Sequence, residues 1–217
     1  MTTDGVRTDV VLLTDRSQLS LGRGLVRTVR ECAAAGLRTV VVRELDLAVD
    51  ARRALVARLR EVPDLTVLTA HALLPGAHGV HLAAHQPDHR AGDRAPGAGI
   101  HARSCHDVEE VARAAAQGAA YVTLSPFAAT ASKPGHGPSL PPAAYGEARR
   151  RCAGSATRVL ALGGIDARTA ADAVHAGAHG VAVMGAVMRA PEPAAEVAAL
   201  LAAVGAATAA ASRGEDR

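Results

Sequence analysis

The stretch "GAHGVHL", residues 76–82, recurs almost unchanged as "GAHGVAV", residues 177–183, about a hundred residues further on. Two looser echoes accompany it, "AGLRTV" at residues 35–40 and "QGAAYV" at residues 117–122. Each ends a stretch that could be helix, turns on glycine and opens a short apolar run. Glycine is the residue that leaves a helix through a left-handed corner without steric cost. The repeat therefore reads as a joint of a scaffold: helix stop, tight corner, strand start.

Working outward from these joints, eight short apolar strands are predicted. They cover residues 10–13 ("VVLL"), 39–42 ("TVVV"), 65–68, 79–82 ("GVHL"), 99–102 ("GIHA"), 121–124 ("YVTL"), 158–162 ("RVLAL") and 180–184 ("GVAVM"). Helical spacing fills 19–35, where Leu21, Leu25, Val29 and Cys32 share a face, and also 51–60, 107–117, 143–152, 167–176 and 191–204. Residues 85–98 and 127–142 are rich in Pro and Gly and read as loops, the second long enough to work on a ligand. Strands alternating with helices predict parallel pairing, and eight of them close into a single-domain (β/α)8 TIM barrel over residues 1–204, with 205–217 as a flexible tail. An open doubly wound sheet would want a Gly-rich turn after the first strand; the sequence there is "TDRSQLS".

Composition fits this architecture. Nearly half of the 217 residues are apolar (49%), yet only Tyr121, Phe127 and Tyr145 are aromatic. Such a core is built from Val, Leu and Ala, as buried parallel strands require. A net charge of +3 spread over scattered Arg residues, with no aromatic platform, argues against nucleic-acid binding. Cys32, Cys105 and Cys152 form no metal or disulfide pattern and are expected to be reduced thiols. The N-terminus lacks an apolar signal region and no run of about 18 apolar residues is evident, so the expectation is a cytoplasmic protein with no membrane partner.

In such barrels the joints lie on the stability face, and chemistry lies at the carboxyl ends of the strands. The ends of strands seven and eight, "LGGID" and "MGAVM", are the most specific. Gly163, Gly164, Gly185 and Ala186 leave main-chain N–H groups unobstructed, and a following helix adds positive potential, which suits a phosphate. His81, His85 and His89 have the spacing of a helical Zn²⁺ face, but His81 belongs to a strand and Pro87 interrupts any helix, so no metal is assigned there.

The motifs "TDR", "VRELDL", "GAHGVHL", "RSCHDVEEV", "GAAYVTLSP" with "TASKP", "ALGGI" and "AGAHGVAVMGAVM" resemble, in order, those of the thiamine phosphate synthase and TenI family. The resemblance spans residues 11–201 and implies a barrel, often a homo-oligomer, that binds a thiazole phosphate. In the synthase, Mg²⁺ and a lysine assist departure of pyrophosphate from a hydroxymethylpyrimidine pyrophosphate, and the thiazole nitrogen captures the pyrimidine cation. TenI-type members include a metal-independent tautomerase that aromatises a thiazole carboxylate phosphate. The resemblance implies phosphate contacts from Gly163, Gly164, Gly185 and Ala186, anion contacts from Thr130, Ser132 and Lys133 in the long loop, and a pyrophosphate contact from Ser104. Arg43 and Glu44 keep the centre of the second-strand motif.

Several positions depart from that pattern. Val41 and Leu45 stand where the synthase has Gln and Lys. Thr69-Ala70 replaces Asn-Asp, and Ala83-Ala84-His85-Gln86 replaces Gly-Gln-x-Asp, so both metal carboxylates are missing and Asp88 is a poor substitute. Neither Ala nor Gln supplies the charged oxygen that Mg²⁺ prefers. The TenI catalytic histidine falls at Pro126. Proton transfer would pass to His71 or His136, with His85 and His106 as weaker candidates, Glu44 near the pocket floor and Lys133 as a neutralising cation. The sequence thus favours a metal-independent, TenI-like thiazole tautomerase, with no cofactor unless synthase chemistry brings Mg²⁺. The alternatives are a diverged synthase or a non-catalytic phosphate-binding regulator.

Overall fold

A computed structural model describes residues 6–87, 99–129 and 138–215. Strands β1 (Val10–Leu13), β2 (Thr39–Val42), β3 (Thr66–Ala70), β4 (Gly79–Leu82), β5 (Ile100–Cys105), β6 (Tyr121–Leu124), β7 (Arg158–Ala161) and β8 (Gly180–Val183) form one closed parallel barrel in chain order. The seam is β1 against β8, with Val11 opposite Ala182. Seven α-helices accompany them among the described residues: α1 (Leu25–Ala34), α2 (Val49–Arg60), α3 (Val108–Ala116), α4 (Ala143–Arg151), α5 (Ala170–His175), α6 (Gly185–Met188) and α7 (Pro193–Glu215).

Period-two alternation divides the strands cleanly. Val11, Leu13, Val41, Leu68, Ala70, Ala102, Tyr121, Leu160 and Ala182 fill the barrel interior, whereas Val10, Leu12, Val40, Val42, Val67, Val122, Leu124, Val159 and Val181 pack outward under the helices. Each strand is buried on both faces, so it reads as a continuous apolar run rather than an alternating one.

The repeated joints are built alike. Gly76 (φ +84°) and Gly177 (φ +112°) take left-handed corners. The backbone N–H of His78 donates to Val67 O at 2.8 Å, and its Nδ1 accepts from Val67 N–H at 2.9 Å. His179 repeats both bonds on Val159, at 2.8 and 3.0 Å. The histidine thus completes both hydrogen bonds of a neighbouring strand residue. The second glycine of each joint is there because backbone crosses it: a Cβ on Gly79 would lie 2.7 Å from the Ile100 carbonyl carbon, and one on Gly180 would lie 2.7 Å from Asp9 O.

Three expectations are corrected. The helix predicted from residue 19 starts at Leu25, because Gly22 turns left-handed (φ +82°) and Gly24 caps α1; Leu21 lies before it, fully exposed, instead of on its buried face. The expected tail from residue 205 is helical to Glu215, since an Ala-rich stretch carries the helix through the modest cost of one Gly. Finally, residues 193–213 are long and apolar enough by composition to cross a membrane, with a mean hydropathy of 1.7. Here that helix lays Val197, Leu200, Val204 and Ala207 into the core beside α1 and α5.

Candidate active site at the strand ends

The alternation that fills the barrel also sorts the side chains at its mouth. On β2, Val41 faces in and Val42 faces out, so Arg43 returns inward and Glu44 outward. Arg43 reaches across to Met184, with Nη1 3.3 Å from the sulfur, and lies 3.9 Å from Asp15 Oδ2. Burial works to raise the Asp15 carboxyl, but hydrogen bonds from Ser17 and Gln18 and the charge of Arg43 hold it below the usual carboxylate range.

Glu44 has a different job from the one the sequence suggested. Its carboxylate, nearly inaccessible, accepts from the Arg16 backbone N–H at 3.1 and 3.2 Å and from the Arg16 guanidinium at 3.1 Å. Asp46 grips the same guanidinium at 2.7 Å through both oxygens. Glu44 ties the exits of β1 and β2 together, and its oxygens are engaged there.

His71 follows β3 in a left-handed conformation (φ +67°), a rare setting for a side chain of this size. Two bonds hold it: its N–H donates to His81 O at 3.0 Å, and its carbonyl accepts from Gln86 Nε2 at 2.8 Å. The ring stands edge-on to exposed His85 with centroids 5.9 Å apart. Burial, then the charges of His85, Arg43 and Arg52, lower its pKa, so the imidazole is neutral and able to accept a proton at neutral pH. His106 sits at the start of α3, with Nδ1 3.2 Å from Ser125 O.

Ser104, half-buried on the inner face of β5, is tied downward. Its Oγ lies 2.9 Å from His81 Nε2, and His81 Nδ1 lies 3.2 Å from the Tyr121 hydroxyl. Burial pushes the His81 pKa down to about 3, so this imidazole is neutral. Sequence reasoning weighed His81 only as a metal ligand. The signal that could have found its role is a polar residue at an inward position of "GVHL", in register with Ala102 and thence Tyr121.

Across the mouth, Gly163 (φ +94°) and Gly164 (φ +66°) turn the chain after β7, and the segment leaving β6 runs against them. A Cβ on Gly164 would lie 2.7 Å from Ala128 Cβ, and one on Gly163 would lie 3.2 Å from Pro126 Cα. The Gly163 and Gly164 carbonyls accept from Ala128 N–H and Thr169 Oγ1 at 2.9 and 3.0 Å. Among the described residues, the N–H groups of Gly163, Gly164, Gly185 and Ala186 find no acceptor in turns or loops. Gly185 opens α6, the short helix that sequence reading merged with the strand end. The Arg189 guanidinium, bonded to Gln18, lies directly over Gly185. That cation was missed because it stands one helical turn beyond the motif. Thr130, Ser132, Lys133 and His136 lie outside the described residues.

The residues at the expected metal positions do not fit Mg²⁺. Ala70 offers no donor. Gln86 spends its side chain internally, accepting from Ala83 N–H at 2.7 Å and donating to His71 O. Glu44 and Asp46 are held by Arg16, and no cluster of three His, Cys, Asp or Glu side chains suited to a metal occurs among the described residues. The three cysteines are buried in the layer between strands and helices; burial pushes Cys32 and Cys105 up to about 12.

Fold and mouth together define a (β/α)8-barrel protein of the kind that handles small anionic metabolites at its strand ends. A family model described as thiamine monophosphate synthase (TMP-TENI) matches residues 10–187. The thiamine-phosphate synthase of Methanoculleus marisnigri is 35% identical over 188 residues, covering 82% of this chain and 86% of that one. A putative thiamine-phosphate synthase of Geobacter sulfurreducens is 34% identical, covering 81% and 84%. In fold, the chain is similar to thiamine phosphate pyrophosphorylase from Pyrococcus furiosus, with a TM-score of 0.77, 21% identity and coverage of 92% and 96%. The chain belongs to the thiamine-phosphate synthase/TenI family, whose chemistry is on thiazole phosphates.

Proposed function

We propose that the chain is a diverged thiamine phosphate synthase, joining a thiazole phosphate to a pyrimidine delivered as its pyrophosphate ester. The observation that carries this reading is the pair of open glycine turns after β7 and β8. Among the described residues their N–H groups meet no protein acceptor, and Arg189 stands over one of them while Arg43 reaches its neighbour Met184. Such donors hold a phosphoryl group without a side-chain anion to compete. The relatives named as synthases, at 34–35% identity over four-fifths of the chain, favour this activity over the tautomerase expected from sequence.

In the reaction, the pyrimidine methylene–oxygen bond breaks with its electron pair leaving on pyrophosphate. The thiazole nitrogen lone pair then forms the new carbon–nitrogen bond, and no proton needs to move. The protein's task is to neutralise the leaving anion and align the nitrogen. Ser104 supplies a hydroxyl at the end of β5, and Arg43, whose guanidinium lies beside Met184, supplies charge near the β8 turn.

A second reading rests on His71. A neutral imidazole at the mouth, with no metal carboxylates beside it, suits a proton transfer on the thiazole. Incubating the protein with both synthase substrates and following thiamine phosphate and pyrophosphate tests the first reading. Absence of product, together with His71-dependent isomerisation of a thiazole carboxylate phosphate, would reverse the order of the two.

A further inference from the structure

The buried chain Tyr121–His81–Ser104 has only one arrangement of protons that leaves no donor stranded. Tyr121 is fully buried, and its hydroxyl meets no group but His81 Nδ1 among the described residues. Around it the barrel interior is mainly Val, Leu and Ala, and the buried Thr123 Oγ1 makes no hydrogen bond to it among the described residues. A neutral imidazole carries one N–H and one lone pair, so its two ring nitrogens must play opposite roles.

If Nδ1 carried the proton, it would donate to the Tyr121 oxygen, and the phenolic O–H would be left without an acceptor in an apolar core. If Nε2 carries it, the Tyr121 O–H donates to Nδ1 and Nε2–H donates to Ser104 Oγ. Both buried donors are then used, and only an oxygen lone pair goes unfilled. Stranded donors are the rarer and costlier defect in protein interiors. The consequence falls on Ser104. Its oxygen already receives a hydrogen bond from below, so its own O–H is released to point at the half-open mouth.

We infer that Tyr121 and His81 are positioning residues that fix the Ser104 hydroxyl as a hydrogen-bond donor to the ligand, selecting an anionic oxygen at that place over any N–H or O–H group. Thr123, inward-facing in register with Ser104, adds a second buried hydroxyl that has no partner among the described residues. The choice of ligand rests on the reading above, in which the mouth takes phosphate or pyrophosphate. The direction of the proton relay does not.

Two measurements separate these. In ¹⁵N-histidine NMR spectra of the intact, ligand-free protein, the His81 signals, assigned by their loss in His81→Gln, should show the proton on Nε2. A proton on Nδ1 overturns the inference outright. Calorimetric titration with inorganic pyrophosphate then tests the coupling. Ser104→Ala should weaken binding about tenfold and His81→Leu, which removes the N–H held against Ser104, by a similar factor. The double variant should be no weaker than Ser104→Ala alone. A His81→Leu loss that persists in the Ser104→Ala background would show that His81 acts by packing and overturn the positioning role. Unchanged affinity in Ser104→Ala alone would refute the anion at the mouth while the NMR result still decides the relay.

Discussion

The two faces of this barrel use the same two residue types to opposite ends. On the strand-start face, glycine and histidine close the two repeated joints: His78 and His179 each satisfy both backbone groups of a neighbouring strand residue, and backbone fills the space beside Gly79 and Gly180. On the strand-end face, glycine N–H groups meet no acceptor among the described residues, and a histidine passes a hydrogen bond up to a half-open hydroxyl. Saturation marks the scaffold and deliberate incompleteness marks the site. A motif's residue types do not tell the two apart; where its hydrogen bonds end does.

The largest effect should come from the saturated face. Gly79→Ala drives a methyl group into the Ile100 carbonyl, where only backbone can yield, and should cost about 3 kcal/mol or more of stability in chemical denaturation. A loss under 1 kcal/mol would remove the contrast between the faces.

Next comes pH. Burial keeps His81 neutral in the folded protein down to about pH 3, whereas the unfolded chain takes up the proton near 6.5. Between those values the unfolded state binds more protons, so stability falls as pH drops, by up to about 1.4 kcal/mol per unit. Roughly 2 kcal/mol should be lost between pH 6.5 and 5, and His81→Gln should flatten that part of the curve. His179, lowered to about 4 mainly by burial, acts in the same direction.

Smaller still, His78→Ala and His179→Ala should each cost about 1–2 kcal/mol by stranding the Val67 and Val159 N–H groups, and should add when combined. Neither should alter thiazole phosphate affinity; a change in calorimetry would mean the faces communicate.

Gly185→Ala should disturb the fold least, by less than about 1 kcal/mol, since the obstacle is the far end of the Arg189 side chain. Yet it should weaken thiazole phosphate binding about tenfold by crowding the open N–H groups. Equal losses of stability and binding at Gly79 and Gly185 would erase the distinction.

The fold was legible because its signals are local. Short apolar runs separated by glycine corners specify buried parallel strands, and β4 and β6 have the expected limits. Leu21 misled because it continues a helical spacing that Gly22 and Gly24 physically interrupt. The glycine turns were legible for the same local reason. The mouth was less so, because its partners meet only through register. Glu44 belongs with Arg16, 28 residues away, and Ser104 belongs with His81 and Tyr121 on neighbouring strands. Arg189 comes over Gly185 only because α6 turns it back.

The seam between β1 and β8 has a consequence for how the protein is made. Val10 waits for Val181, and α7 lays Val197, Leu200 and Val204 beside α1 only after that. A ribosome that has delivered seven strands holds a curved sheet with two bare edges, each able to template wrong partners. Native closure therefore waits until β8 and α7 have left the ribosome, and chaperone demand should peak at that stage rather than early in synthesis.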